Sequence, residues 1–191
     1  FTLTWGLAGF FEIPDDDYTR PQIYNILWIN QGNGTFKQEL ERCIPHSSRF
    51  SMGNDIADIN NDGLTDILTL DMLPKNEQVI KTTAGEDPFE IYEFKLRYGY
   101  HYQFSRNALQ LNRGCDDKND LMFSDIAPLV GVEASDWSWA SLLADFDNDG
   151  YKDLFITNGI VGRPNDLDYI NFITRDSSQR HLSDQQLIDQ M

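Results

Sequence analysis

This sequence is short of basic charge and cysteine, and it has no long apolar run. Lys and Arg together number 15 against 31 Asp and Glu, a formal net charge of −16. Phosphate backbones and anionic membrane surfaces call for a basic face, so nucleic acid and lipid headgroups are excluded as general partners. Two cysteines, Cys43 and Cys115, make neither a disulfide scaffold nor a CxxC metal site. One disulfide and two free thiols are both compatible with them. No stretch approaches the roughly 18 apolar residues needed to span a bilayer. The opening FTLTWGLAGFFEI lacks an initiator Met, a basic flank and a small-residue cleavage site, so it is not read as a signal peptide. It reads as a strand entered partway, and the chain as a piece of something longer.

What is present suffices to fold. At 191 residues, 40% hydrophobic and 13% aromatic, the chain can bury a core, which excludes general disorder. The excess acid then has two readings, a solvated surface or carboxylates gathered around cations.

Sliding the sequence along itself separates them. At an offset of 87, residues 36–71 align with 123–158 without a gap, placing Phe36 on Phe123, Ser51 on Ser138, Asp58 on Asp145 and Gly63 on Gly150. Upstream, NILWINQG at 25–32 matches NALQLNRG at 107–114. Each unit reads as short strands between turns, including Ile26–Asn30 and Ala108–Asn112, Ser51–Ile59 and Ser138–Phe146, and the apolar runs Ile67–Leu70 and Leu154–Thr157. Four short strands per unit is the make-up of a propeller blade. A period of 87 is too long for one, and an insertion at 73–106 accounts for the excess, leaving 53 residues per blade. The fold class expected is therefore all-β, with about three blade parts at 1–40, 51–127 and 138–172 inside a unit spanning 1–172. Three blades do not close a ring, which takes about four to eight.

Inside the insertion, Asp87, Pro88 and Glu90 predict a helix start and Gly99 its end, with Ile91, Phe94 and Tyr98 on the face that packs on the sheets. A helical tail is expected over 173–191, with Ser183 and Gln186 at the start of a second short helix.

The chemistry sits in DINNDGLTD at 58–66 and DFDNDGYKD at 145–153, both of the form D-x-[DN]-x-D-G-x-x-D. Calcium takes six to eight oxygens, and a tight loop supplies them from alternate side chains and a backbone carbonyl. Side-chain ligands would be Asp58, Asn60, Asp62 and Asp66 in the first loop, and Asp145, Asp147, Asp149 and Asp153 in the second. Leu64 and Tyr151 would add main-chain carbonyls, and Gly63 and Gly150 sit where the chain turns sharply. Asp, Asn and Gly are also ordinary turn formers. Recurrence at the same place in a repeat, each time before an apolar strand, favours the ligand reading. An EF-hand does not fit, because its position-12 glutamate would fall on Thr69 and Ile156. Magnesium, with its stricter octahedron, fits less well than calcium.

SMGNDIADINNDGLTDIL and SWASLLADFDNDGYKDLFITNG, each preceded by N-x-L-x-[IL]-N and a loop ending in Phe, resemble the FG-GAP/VCBS repeats of integrin-like β-propellers. The stretch DMLPKNE…LRYGYHYQFSRN more loosely resembles bacterial VCBS-repeat relatives of cartilage acidic protein, which often end in an ASPIC/UnbV-type domain. The likeness spans residues 24 to about 172, without an ASPIC/UnbV-type segment. It implies that each loop joins the first and second strands of a blade and binds calcium through the positions named above, a structural cofactor at two sites. Asn60 stands where a carboxylate is usual and should weaken the first site, and RGCDDKNDL at 113–121 replaces a short Gly-rich turn.

Other features read as structure. Trp137 and Trp139 fall on Phe50 and Met52, so packing between blades explains them better than a sugar platform. Tyr98, Tyr100, His101, Tyr102 and Phe104 alternate and could line a ligand groove. His46, His101 and His181 lack metal-ligand spacing, and no Ser or Cys lies in a nucleophile motif. The expected function is a non-catalytic, calcium-binding extracytoplasmic scaffold for a protein or glycan ligand, completed by the remaining propeller blades of a parent protein. The alternative is the propeller part of a carbohydrate-active enzyme, a polysaccharide lyase or hydrolase.

Overall fold

The computed structural model describes residues 3–6, 25–83, 87–118 and 120–176. In chain order, β1 (Leu3–Gly6), β2 (Ile26–Asn30) and β3 (Phe36–Gln38) lead to α1 (Leu40–Cys43), β4 (Ser47–Ser48), β5 (Gly53–Ala57) and β6 (Asp66–Leu70). The insertion follows with α2 (Glu77–Thr82), α3 (Phe89–Arg97) and β7 (Gln103–Phe104). Then come β8 (Ala108–Cys115), β9 (Leu121–Asp125), α4 (Ala127–Val130), β10 (Ser138–Ala144), β11 (Asp153–Asn158) and α5 (Leu167–Asp176). Most of this is antiparallel sheet with short helices, as the strand-length apolar runs require. The order β5-β6-β8-β9 makes a four-stranded antiparallel sheet, preceded by β1-β2-β3 and followed by the β10-β11 hairpin. No closed ring of sheets is seen among the described residues.

The repeat holds element by element. Offsets of 87 carry α1 onto α4 and the starts of β6 onto β11, and the β5 residues onto positions within β10. The four-residue helices are additions to the sequence reading. Pro128, in the first turn of α4, is a start signal that sequence could have used. Leu40 and Cys43 of α1 carry only an i, i+3 apolar pair.

Strand β6 lies second in the sheet with both faces covered, and all five of its residues are buried. Alternation sends Ile67 into a cluster with Leu27, Leu40, Ile44 and Phe123, and Leu68 and Leu70 into a second with Leu109 and Ala127. Leu143, Leu154 and Ile156 of the β10-β11 hairpin pack on that second cluster. The sheets therefore stack face to face through β6. First strands of consecutive sheets also meet, since a Cβ on Gly53 would lie 2.4 Å from the Trp139 carbonyl oxygen. Nearby, the Leu143 N–H donates to Asp55 Oδ2 at 2.6 Å.

A polar clamp recurs with the sheets. Asn25 donates to the Ser48 carbonyl at 3.0 Å, and its counterpart Asn107 donates to Ser135 Oγ at 2.5 Å and to the Val132 carbonyl. Ser48 bonds Ser51 through their hydroxyls, as Ser135 does Ser138. Buried Asp71 accepts from Ser48 Oγ and from the N–H groups of Arg49, Phe50 and Met72.

Several expectations are corrected. The helix in the insertion turns its other side inward: Ile91, Phe94 and Tyr98 are 46%, 54% and 59% exposed, while Tyr92, Lys95 and Leu96 are partly buried. Pro88 is the N-cap, and Asp87 pairs with Arg49 and Lys95 instead of capping. A further helix, α2, begins at Asn76, whose side chain accepts from the N–H groups of Gln78 and Val79. Trp139 is half exposed and donates through Nε1 to the Gly159 carbonyl, so it does not fill a core between sheets. Residues 167–172, expected within the third blade part, belong to α5. The helix expected from Ser183 lies outside the described residues. Both cysteines are free thiols, and burial first of all pushes Cys43 up to about 11.

Candidate metal centre

Each acidic loop connects two antiparallel neighbours, β5 to β6 and β10 to β11. Both are folded by the same five hydrogen bonds. In the first, Asp58 Oδ1 and Asn60 Oδ1 accept from Asp62 N, Asp58 Oδ2 from Gly63 N, Asp62 Oδ1 from Leu64 N, and Asp66 Oδ2 from Ile59 N. In the second, Asp145 Oδ1 and Asp147 Oδ1 accept from Asp149 N, Asp145 Oδ2 from Gly150 N, Asp149 Oδ1 from Tyr151 N, and Asp153 Oδ2 from Phe146 N. Corresponding distances agree within 0.1 Å, for example 2.8 Å for Gly63 and 2.9 Å for Gly150. The left-handed turns recur too, at Asn61 (φ 59°) and Asn148 (φ 62°), and at Gly63 (φ 84°) and Gly150 (φ 92°). Glycine carries that conformation without strain, and asparagine tolerates it better than most residues.

In the second loop these bonds accompany a cluster of carboxylates. Asp145, Asp147 and Asp149 each place an oxygen within 4.8 Å of the other two. In the first loop Asn60 replaces one carboxylate, and its amide donates to Asp62 Oδ2 at 2.9 Å. Leu64 and Tyr151 occupy the position assigned to a carbonyl donor. Asp66 and Asp153 each close their loop onto the N–H of its second position. Asp66 is fully buried, and its Oδ1 also accepts from Asn112 N. Burial pushes its carboxyl up, backbone donors oppose that, and the Asp62 and Asp58 charges add to the rise. Asp153 is exposed because β11 has no third strand beside it among the described residues.

The donor set suits a hard cation. All side-chain donors are oxygens, with no thiolate or imidazole among them. Like charges this close repel unless neutralised, and among the described residues no Lys, Arg or His ion pair involves a loop acid.

Residues 15–69 match the family model of an FG-GAP-like repeat. That match takes in β2 to β5, the whole first loop and all but the last residue of β6. The chain thus carries an FG-GAP-like repeat, and the internal alignment extends its pattern to the second loop. No curated protein and no solved structure gives a significant match.

Sequence reading missed the support around the loops. Asn61 Nδ2 donates to the Gly150 carbonyl at 2.9 Å, joining one loop to the other. Asn112, buried in β8, holds Asp66 through its N–H and the Thr65 carbonyl through its amide. Asn at the fourth position of both loops, Asn61 and Asn148, was the signal for the first.

Proposed function

We propose that the chain is a calcium-stabilised segment of a β-propeller built from FG-GAP/VCBS-type repeats, acting as a non-catalytic extracytoplasmic binding or adhesion scaffold. The recurrence of one hydrogen-bonded acidic loop in two consecutive units carries this reading. Face-to-face stacking of successive sheets, with first strands side by side, is what neighbouring blades would produce. Calcium would be held by Asp58, Asn60, Asp62, Asp66 and the Leu64 carbonyl, and by Asp145, Asp147, Asp149, Asp153 and the Tyr151 carbonyl. Its role is to neutralise clustered carboxylates and fix the turn between two strands.

Extracytoplasmic placement is the reading that structural calcium favours, since extracellular modules commonly bind it at about 10⁻⁴–10⁻³ M, above what cytosol supplies. Further blades of the parent and a protein or glycan ligand would be the partners. Asp87, which lines the cleft beside α3, weighs toward binding over hydrolysis. Partial burial works against its charge, but Lys95 and Arg49 hold its carboxyl below the usual range, a poor setting for a proton donor. Calorimetric titration with Ca²⁺, and melting in Ca²⁺ against EDTA, test the proposal. Two sites and a raised midpoint are expected; no heat of binding and an unchanged midpoint refute it.

A further inference from the structure

The insertion builds a second feature away from the acidic loops. A cleft of about 440 Å³ lies between α3 and the segments carrying Arg49 and Phe104–Arg106. That is within the size range of small-ligand sites, roughly 300–1,000 Å³. Phe89, Tyr92 and Leu96 line it from one side of α3, and Tyr92 stacks on Phe104 with ring centroids 6.3 Å apart and planes 24° from parallel.

Charge in the cleft runs against the charge of the chain. Arg106 is spoken for: its Nη1 lies 2.7 Å from buried Asp125, and its Nη2 meets His46. Asp87 has to serve two cations at once, Arg49 at 3.0 Å and Lys95. The side chains of Arg49, Lys95 and Asp87 are only 20%, 26% and 22% exposed. Among the described residues that line the cleft, one positive charge is left over, on a protein of net charge −16. Burial lowers His101, which lines the same cleft, so it adds no charge near neutral pH.

We propose that this cleft binds a small organic monoanion, a carboxylate carried on a ring, with the ring against Phe89, Tyr92 and Phe104 and the carboxylate on Lys95 and Arg49. Flat aromatic walls suit a ring. A single surplus charge suits a monoanion, whereas a phosphate dianion would meet Asp87 without a second free cation. The ring can come from a uronic acid or from an aromatic acid, and the chemistry is shared. This site does not depend on the calcium reading, because none of the loop acids lines it.

The test is titration of the 191-residue chain with galacturonate and benzoate, beside the neutral galactose and benzamide, followed by calorimetry. Saturable binding of one acid and not of its neutral counterpart is expected, and the acid that binds identifies the source of the ring. Lys95→Met should weaken it roughly tenfold or more, the loss of a charge-assisted bond. Asp87→Asn should strengthen it, since a competing carboxylate is gone, and a damaged fold would not give that opposite sign. The proposal is overturned if neither acid binds with a Kd below about 10 mM. Equal binding of the neutral compounds, tighter binding of inorganic phosphate, or an unchanged Lys95→Met affinity would overturn it too.

Discussion

Asp58 accepts the N–H groups of Asp62 and Gly63 and is also a calcium ligand in the function proposed above. Asp58→Ala should therefore lower the melting midpoint by a few degrees even in EDTA, and calcium titration should then count one site against the two expected of the unsubstituted chain. Asp71 lies outside the acidic loops and serves as a hydrogen-bond acceptor. Both its oxygens accept only from donors, so Asp71→Asn would set an amide N–H against a backbone N–H. A cost of about 2–3 kcal/mol at pH 7 is expected in urea unfolding. Asp71 and Asp125 respond to pH in opposite senses. Burial raises Asp71, so the part of stability linked to its proton is complete below the unfolded value of about 4 and is lost as pH rises through the folded one, while the bonds its carboxylate accepts persist. Burial of Asp125 is outweighed by His46, its backbone donors and Arg106, which hold it low. Its contribution is present above about pH 4 and is lost as pH falls through the folded value. Arg106→Met should therefore shift acid unfolding to higher pH, read as the midpoint of a circular-dichroism titration.

At the scale of elements, Gly53 and the α3 face show what sequence does and does not carry. Strand-length apolar runs, turn glycines and the gapless alignment made the short strands of each unit legible, because alternation and turn chemistry are local. The contact of β5 with β10 is not local, and nothing around Gly53 announces that a neighbouring carbonyl fills the place of its Cβ. Gly53→Ala should cost about 2 kcal/mol or more by forcing those strands apart, measurable by thermal melting. Periodicity put Ile91, Phe94 and Tyr98 on one side of α3 and so chose an inner face. The opposite side won because Lys95 there meets Asp87, and Tyr92 meets Phe104. The loop positions that fold onto one another were legible from spacing. Their outer support was not, since Asn112 reaches Asp66 from 46 positions away.

For the whole molecule the dominant quantity is its charge. Seven of the 31 acidic residues lie at loop positions assigned as ligands, and two Ca²⁺ would take the formal charge from −16 to −12. In EDTA, raising salt should stabilise the chain by screening the repulsion among these acids. The midpoint gained on adding calcium should be larger at low salt than at high salt, which paired melts at two ionic strengths would read out. A surface without that repulsion would show no such dependence.

The hydrogen bond from Asn61 to the Gly150 carbonyl gives the two turns a common hinge pin. A pull that peels the second sheet from the first would strain both turns at once, so under tension the pair should yield as one mechanical unit. In a protein exposed to shear, the rupture force would then report on the joint between repeats more than on either repeat by itself.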